Sequence, residues 1–151
     1  MPLLNYTTKV YAAKTVGEIV ALLVKHGATA FQQEYESARI KALYWQHDTP
    51  SGRLPFKMPV NVEAVHKRLQ AEHPGSSILT TREHAERVAW RILKDWVEVQ
   101  VALVETGMVA FEEVFLPYAV LKGGETLYHH MLEGGFKTLV ALTDGREKEA
   151  L

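Results

Sequence analysis

Four cations and one indole stand at odd positions in two neighbouring stretches of the chain. Arg39, Lys41 and Trp45 lie in "RIKALYWQH", and Arg53 and Lys57 in "RLPFKMP". If both stretches are strands, period-2 alternation places these side chains on one face, with Leu54, Phe56 and Met58 packing behind. Cations neutralise phosphates and a ring stacks on a base, so this face predicts binding to single-stranded nucleic acid. A solvated antiparallel face carries the same residue types, with Trp45 in the core. Exposure of Trp45 beside the cations separates the two readings.

Other chemistry-bearing residues are less well spaced. His129 and His130 are adjacent, with Glu133 three residues on. Adjacent helical residues point about 100° apart, so the pair chelates one ion poorly. A ligand pair on a helix wants spacing of four, as in HExxH. The other histidines show no ligand spacing and read as surface or cap residues. With no cysteine in the chain, neither a thiolate site nor a cysteine nucleophile is available. Serines 51, 76 and 77 lie in turn-like sequence without a G-x-S-x-G elbow. "KGGE" is a turn rather than a phosphate loop. The reading contains no metal, no cofactor and no catalytic residue, and leans away from an enzyme.

The stretch from Arg82 to Val114 reads as one long helix with charges opposed to its dipole. Arg82, Arg87, Arg91 and Lys94 crowd the front, while Glu98, Glu105, Glu112 and Glu113 fill the back. Ala85, Val88, Ala89, Ile92, Trp96, Val99, Leu103, Thr106 and Ala110 form its apolar stripe. Val97 and Val101 fall off that stripe and suggest a second buried surface. Antiparallel packing of two copies answers both features. Arg87, Arg91 and Lys94 of one would face Glu98, Glu105 and Glu112 of the other, around Trp96, Val97 and Val101. A homodimer is therefore expected, although the C-terminal helix of the same chain can cover the same flank.

Composition sets the frame. The 151 residues are 47% hydrophobic and 23% charged, with a net charge of −1. That is an ordinary globular balance, enough for one domain with a real core. It excludes a bulk polycation but not a local basic patch. Residues 1–58 hold seven Lys or Arg against four Asp or Glu, and residues 80–117 four against seven. The front is mildly basic and the long helix acidic. The N-terminus lacks a signal-peptide pattern, and no apolar run is long enough to span a membrane, so a cytoplasmic protein without membrane partners is expected.

The elements that must position these residues follow from periodicity and punctuation. "NYTTKV" (5–10) predicts a short strand. Thr15 and Glu18 predict a capping box for a helix ending at Gly27. Strands are predicted over 29–36, 39–47 and 53–59. A tight turn at Ser37-Ala38 joins the first two, and "DTPSG" (48–52) the second and third. Pro55 marks the last as an edge. Asn61 caps a second helix, and Thr80 with Glu83 opens the long one, which Pro117 ends. "TLYHHMLEGG" (126–135) is a short helix. The order β-α-β-β-β-α predicts an α+β domain: a small antiparallel sheet followed by a helical C-terminal half. Residues 1–79 form the α/β portion, 80–142 the helical portion and 143–151 a frayed tail. The α-β-β-β-α middle shares its order with double-stranded-RNA-binding domains, but its second helix offers only Lys67 and Arg68, late.

The strings "NYTTKV", "KTVGEI", "LLVKHGA", "TREHAERVAWRILKDWVEVQ" and "FLPY" resemble a family of short proteins encoded by phages, prophages and other mobile elements. The likeness spans about Asn5 to Tyr128. It implies an accessory protein and brings no functional residue with it. The leading expectation is a non-enzymatic accessory protein binding single-stranded nucleic acid through the sheet face. The alternative is a homo-oligomeric interaction module that modulates a host or phage protein.

Overall fold

Six α-helices and a three-stranded antiparallel sheet build an α+β fold in this computed structural model, which describes residues 1–150 and their side chains as far as Thr143. The strands are β1 (Ala28–Glu36), β2 (Arg39–Thr49) and β3 (Gly52–Lys57), in the order β1-β2-β3. Ser37 and Ala38 join β1 to β2 with φ of 50° and 63°. Two left-handed central residues match the twist of a hairpin, a geometry usually met by Asn-Gly. Thr29 is skipped in β1 and Lys41 in β2, each as a bulge.

Three helices cover one face of the sheet. They are α1 (Ala12–Lys25), α3 (Arg82–Glu105) and α4 (Phe111–Phe115). Val16, Ile19 and Leu23 of α1 meet Leu43, Trp45 and Phe56 of the sheet, Trp90, Val97 and Val101 of α3, and Phe111 and Phe115 of α4. The expected α/β and helical portions thus share one core. A smaller cluster joins Leu69 of α2 (Val62–Glu72) to Ala85 and Val88 of α3. Asn61 caps α2 as expected, its Oδ1 accepting from the Ala64 N–H at 3.0 Å.

Several local expectations are corrected. Residues 5–10 form a turn and an extended lead-in, not a strand, so the chain opens with a helix. Asn5 has φ of 62°, and Tyr6 packs with Leu3 onto the α2–α3 cluster. Asn5 Nδ2 donates to Asp95 at 2.8 Å, and His84 meets the Tyr6 carbonyl at 2.5 Å. These tertiary partners replace the sheet partner a strand would need. Helix α1 starts at Ala12, not at Thr15, which is buried inside it. Glu18 reaches Arg91 rather than its own helix start. The cap of α3 is Thr81, whose Oγ1 accepts from the His84 N–H at 3.1 Å, while the Thr80 hydroxyl donates to the Ser76 carbonyl.

The long helix ends nine residues earlier than Val114. Gly107 takes φ of 78°, its N–H bonding the Val104 carbonyl and that of Met108 the Leu103 carbonyl. Glycine relieves the strain of a left-handed helix end. Glu112 and Glu113 therefore sit in the first turn of α4, where negative charge is favourable. Glu113 also accepts from the Ala110 N–H at 3.2 Å. A 3-10 turn at Leu116–Tyr118 follows, then α5 (Leu127–Glu133) and α6 (Lys137–Ala150). The α6 helix occupies the stretch expected to fray; its side chains beyond Thr143, and Leu151, lie outside the described residues.

Candidate functional site

The five residues of the expected nucleic-acid face do not share a face. Trp45 pairs with Phe56, His47 with Leu54 and Asp48 with Arg53. Odd positions of β2 therefore line up with even positions of β3. Trp45 is 2% exposed, its ring stacked on Phe56 at 5.4 Å and edge-on to Phe115 at 5.9 Å. Arg53 and Lys57 point the other way. The reason is turn length. Pro50 and Ser51 alone make the turn, so Thr49 faces Gly52. A five-residue turn over 48–52 would have matched odd with odd; the two-residue turn matches odd with even.

The open face of the sheet carries Tyr44, Gln46 and Asp48 of β2, Arg53, Pro55 and Lys57 of β3, and Gln32 and Glu34 of β1. Its charges balance. Arg53 Nε donates to Asp48 Oδ1 at 2.8 Å, which holds the Asp48 carboxyl below its usual range and raises the guanidinium. The Lys57 ammonium lies 5.5 Å from the centre of the Tyr44 ring. Away from this face, Arg39 donates to Glu86 at 3.2 Å, and Lys41 is 3.9 Å from Glu36. Arg39, Lys41 and Arg82 line a cleft of about 630 Å³ together with Glu36, Glu63 and Glu86. Three cations against three carboxylates do not attract a polyanion.

The expected dimer surface on α3 is likewise used within the chain. Arg87 pairs with Glu83 at 2.7 Å, Lys94 with Glu98 at 2.5 Å, and Arg91 with Glu18 of α1. Glu105 receives His26 at 2.9 Å. Trp96 packs edge-on to Phe115 and Tyr118. Val97 and Val101 are buried in the main core, so they are not available to a partner. Val99, assigned to the apolar stripe, is 59% exposed instead. Helix α3 is covered by α2 along its first half and by α1 and the sheet along another side, so one straight stripe does not describe it.

His47, His66 and His84 act as internal ties, whereas His129 and His130 on α5 are exposed, as expected. His47 and His84 are buried. His47 Nε2 meets the His26 carbonyl at 2.8 Å, and its ring stacks on Phe111 at 3.5 Å. Burial lowers its pKa below the ordinary 6.5, against opposing effects of the His26 carbonyl and Asp48. His66 Nε2 meets the Thr80 carbonyl at 2.7 Å and so joins α2 to the start of α3. His129 bonds Thr126, and His130 bonds Glu125. Among the described residues no three His, Asp or Glu side chains converge as a metal site, and no described helix is long and apolar enough to cross a membrane.

One surface was not assigned from the sequence. Tyr128, Leu132, Leu139, Val140 and Leu142 are all exposed, on α5 and the first turns of α6. Every described side chain of α6, from Lys137 to Thr143, is exposed. The apolar run "TLVAL" was the available signal. It was missed because Gly134 and Gly135 read as the end of structure. Comparison with family models, with curated proteins and with solved structures finds no match to this chain.

Proposed function

We propose that this chain is a non-enzymatic accessory protein of a phage or mobile element. It works as a protein-interaction module that docks a host or phage protein on α5 and α6. The observation that carries the reading is the exposure of Tyr128, Leu132, Leu139, Val140 and Leu142 within fifteen residues. Single exposed apolar side chains are ordinary, but concentrated ones mark contact surfaces. Leu139 and Leu142 are three apart on one helix face, as are Tyr128 and Leu132 at four. The ring of Tyr128 lies 5.9 Å from that of Phe136, which links α5 to the start of α6. The nucleic-acid reading lacks comparable support, because Trp45 is in the core and the neighbouring cations face carboxylates or a ring.

The test compares capture of proteins from a host extract by the wild-type chain and by Leu139→Asp/Leu142→Asp. A stoichiometric partner held by the wild type and lost by the variant, with unchanged circular dichroism, is expected. Equal capture by both overturns the reading, as does retardation of a labelled single-stranded oligonucleotide by the wild type at low salt.

A further inference from the structure

The two edges of the sheet differ. The outer edge of β3 is partly covered: the Val120 N–H donates to the Pro55 carbonyl at 2.9 Å, and Ala119 bridges Phe56. Among the described residues nothing pairs with the outer edge of β1. Along β1, Thr29, Ala30, Gln32, Gln33, Tyr35 and Glu36 are exposed. Such an edge is a template for another strand, and proteins usually blunt it with Lys or Pro. The nine residues of β1 contain neither, and its bulge at Thr29 precedes the stretch Phe31 to Tyr35.

The direction of the free backbone groups follows from the ladder. Leu43 gives its carbonyl to the Met58 N–H at 2.9 Å, and the Asp48 N–H bonds the Gly27 carbonyl on the β1 side. From Ala42 to Thr49, odd residues of β2 thus turn their backbone groups toward β3, and even residues toward β1. Gln33 is opposite Leu43 and Phe31 opposite Trp45, so these are non-hydrogen-bonded pairs. Alternation adds Tyr35. The N–H and C=O groups of Phe31, Gln33 and Tyr35 therefore point outward from β1.

We propose that two copies of this chain pair antiparallel through β1 into one six-stranded sheet, with Gln33 on the twofold axis and Phe31 opposite the partner's Tyr35. The three outward residues of each copy then exchange their backbone hydrogen bonds. This register places aromatic against aromatic twice, a favoured cross-strand pair. Glu34 meets Gln32 and Glu36 meets Ala30, so neither carboxylate faces another. Sliding the strands by one residue each way toward the hairpin sets Glu34 against Glu34, which disfavours that register. The 59% exposure of Tyr35 is explained by the partner it lacks in a single copy. The inference does not depend on α5 or α6.

Sedimentation velocity of the full chain tests it. The wild type is expected at twice its 17.0 kDa mass at micromolar concentration. Gln33→Lys sets two like charges face to face and should raise the dimer dissociation constant by about tenfold. Gln33→Pro removes an outward N–H that no strand of the same chain uses, and should weaken the dimer further with unchanged circular dichroism. Val99→Asp, at an exposed position of α3, should leave it intact. A monomeric wild type overturns the proposal. So does a dimer that survives both Gln33 variants or dissociates with Val99→Asp alone.

Discussion

Trp45 and Phe56 face each other across β2 and β3 on the covered side of the sheet, with ring centroids 5.4 Å apart, while their chain neighbours Tyr44 and Lys57 meet on the open side. One register decides both contacts. It gives the indole to the core and leaves the open face with a tyrosine, a lysine and a closed Arg53–Asp48 pair.

Replacing Trp45 with Ala should therefore be a core truncation. The expected cost is about 3–5 kcal/mol of unfolding free energy. Urea denaturation followed by tryptophan fluorescence and circular dichroism measures it. A loss below about 1 kcal/mol would mean that the ring is not packed as described.

Two glycines should respond with opposite signs. Gly27 has φ of 117°, and a Cβ there would lie 2.9 Å from His47 Nε2 and 3.3 Å from the Asp48 carbonyl. His47 cannot swing away, because it is buried against Phe111. Gly27→Ala should destabilise by at least about 2 kcal/mol, from backbone strain and crowding together. Gly17 lies inside α1 with open space around it. Gly17→Ala should stabilise by about 0.5–1 kcal/mol through helix propensity. Thermal melts of the two variants decide; equal signs would count against the geometry.

Acid should loosen the same corner. His47 has a folded pKa below its ordinary value of 6.5, chiefly through burial. The unfolded chain then binds more protons than the folded one between the two pKa values, so stability rises with pH in that window. The contribution is complete above about pH 6.5 and is lost as pH falls toward the folded pKa. The His26 carbonyl, Asp48 and Glu112 oppose the effect, and the His26 imidazole adds to it. Melting temperature should drop below about pH 6.5, and His47→Gln should flatten that limb. An unchanged limb in the variant would assign the acid sensitivity elsewhere.

The sheet cations should matter little to stability or to nucleic acid. Arg53 and Asp48 form an exposed pair, whose attraction solvent screens. Arg53→Ala and Lys57→Ala should each leave the urea midpoint unchanged. Fluorescence anisotropy with a labelled single strand should show no saturable binding. A log–log salt slope near −3, the value for about four phosphate contacts, would restore the nucleic-acid reading.

Much of the local structure was legible in the sequence. The three strands lie within two residues of their expected ends, Asn61 caps its helix, and Pro55 sits on an outer strand. These features depend on alternation, capping chemistry and a missing N–H, all local properties of the chain. Which residues meet was decided only in three dimensions. Alternation says that Arg39 and Trp45 stand at same-parity positions, but a bulge at Lys41 and a two-residue turn at Pro50–Ser51 reset faces between and along strands. The charges of α3 looked like a request for a partner chain; Glu18, Glu63 and His26, remote in sequence, answer them instead. The helix itself ends at Glu105, because Gly107 can turn left-handed and Phe111 and Phe115 gain more by packing on Trp45 and Phe56 than by continuing along the helix. Periodicity reports the preference of each segment for one buried side, whereas register and long-range packing select which buried side exists.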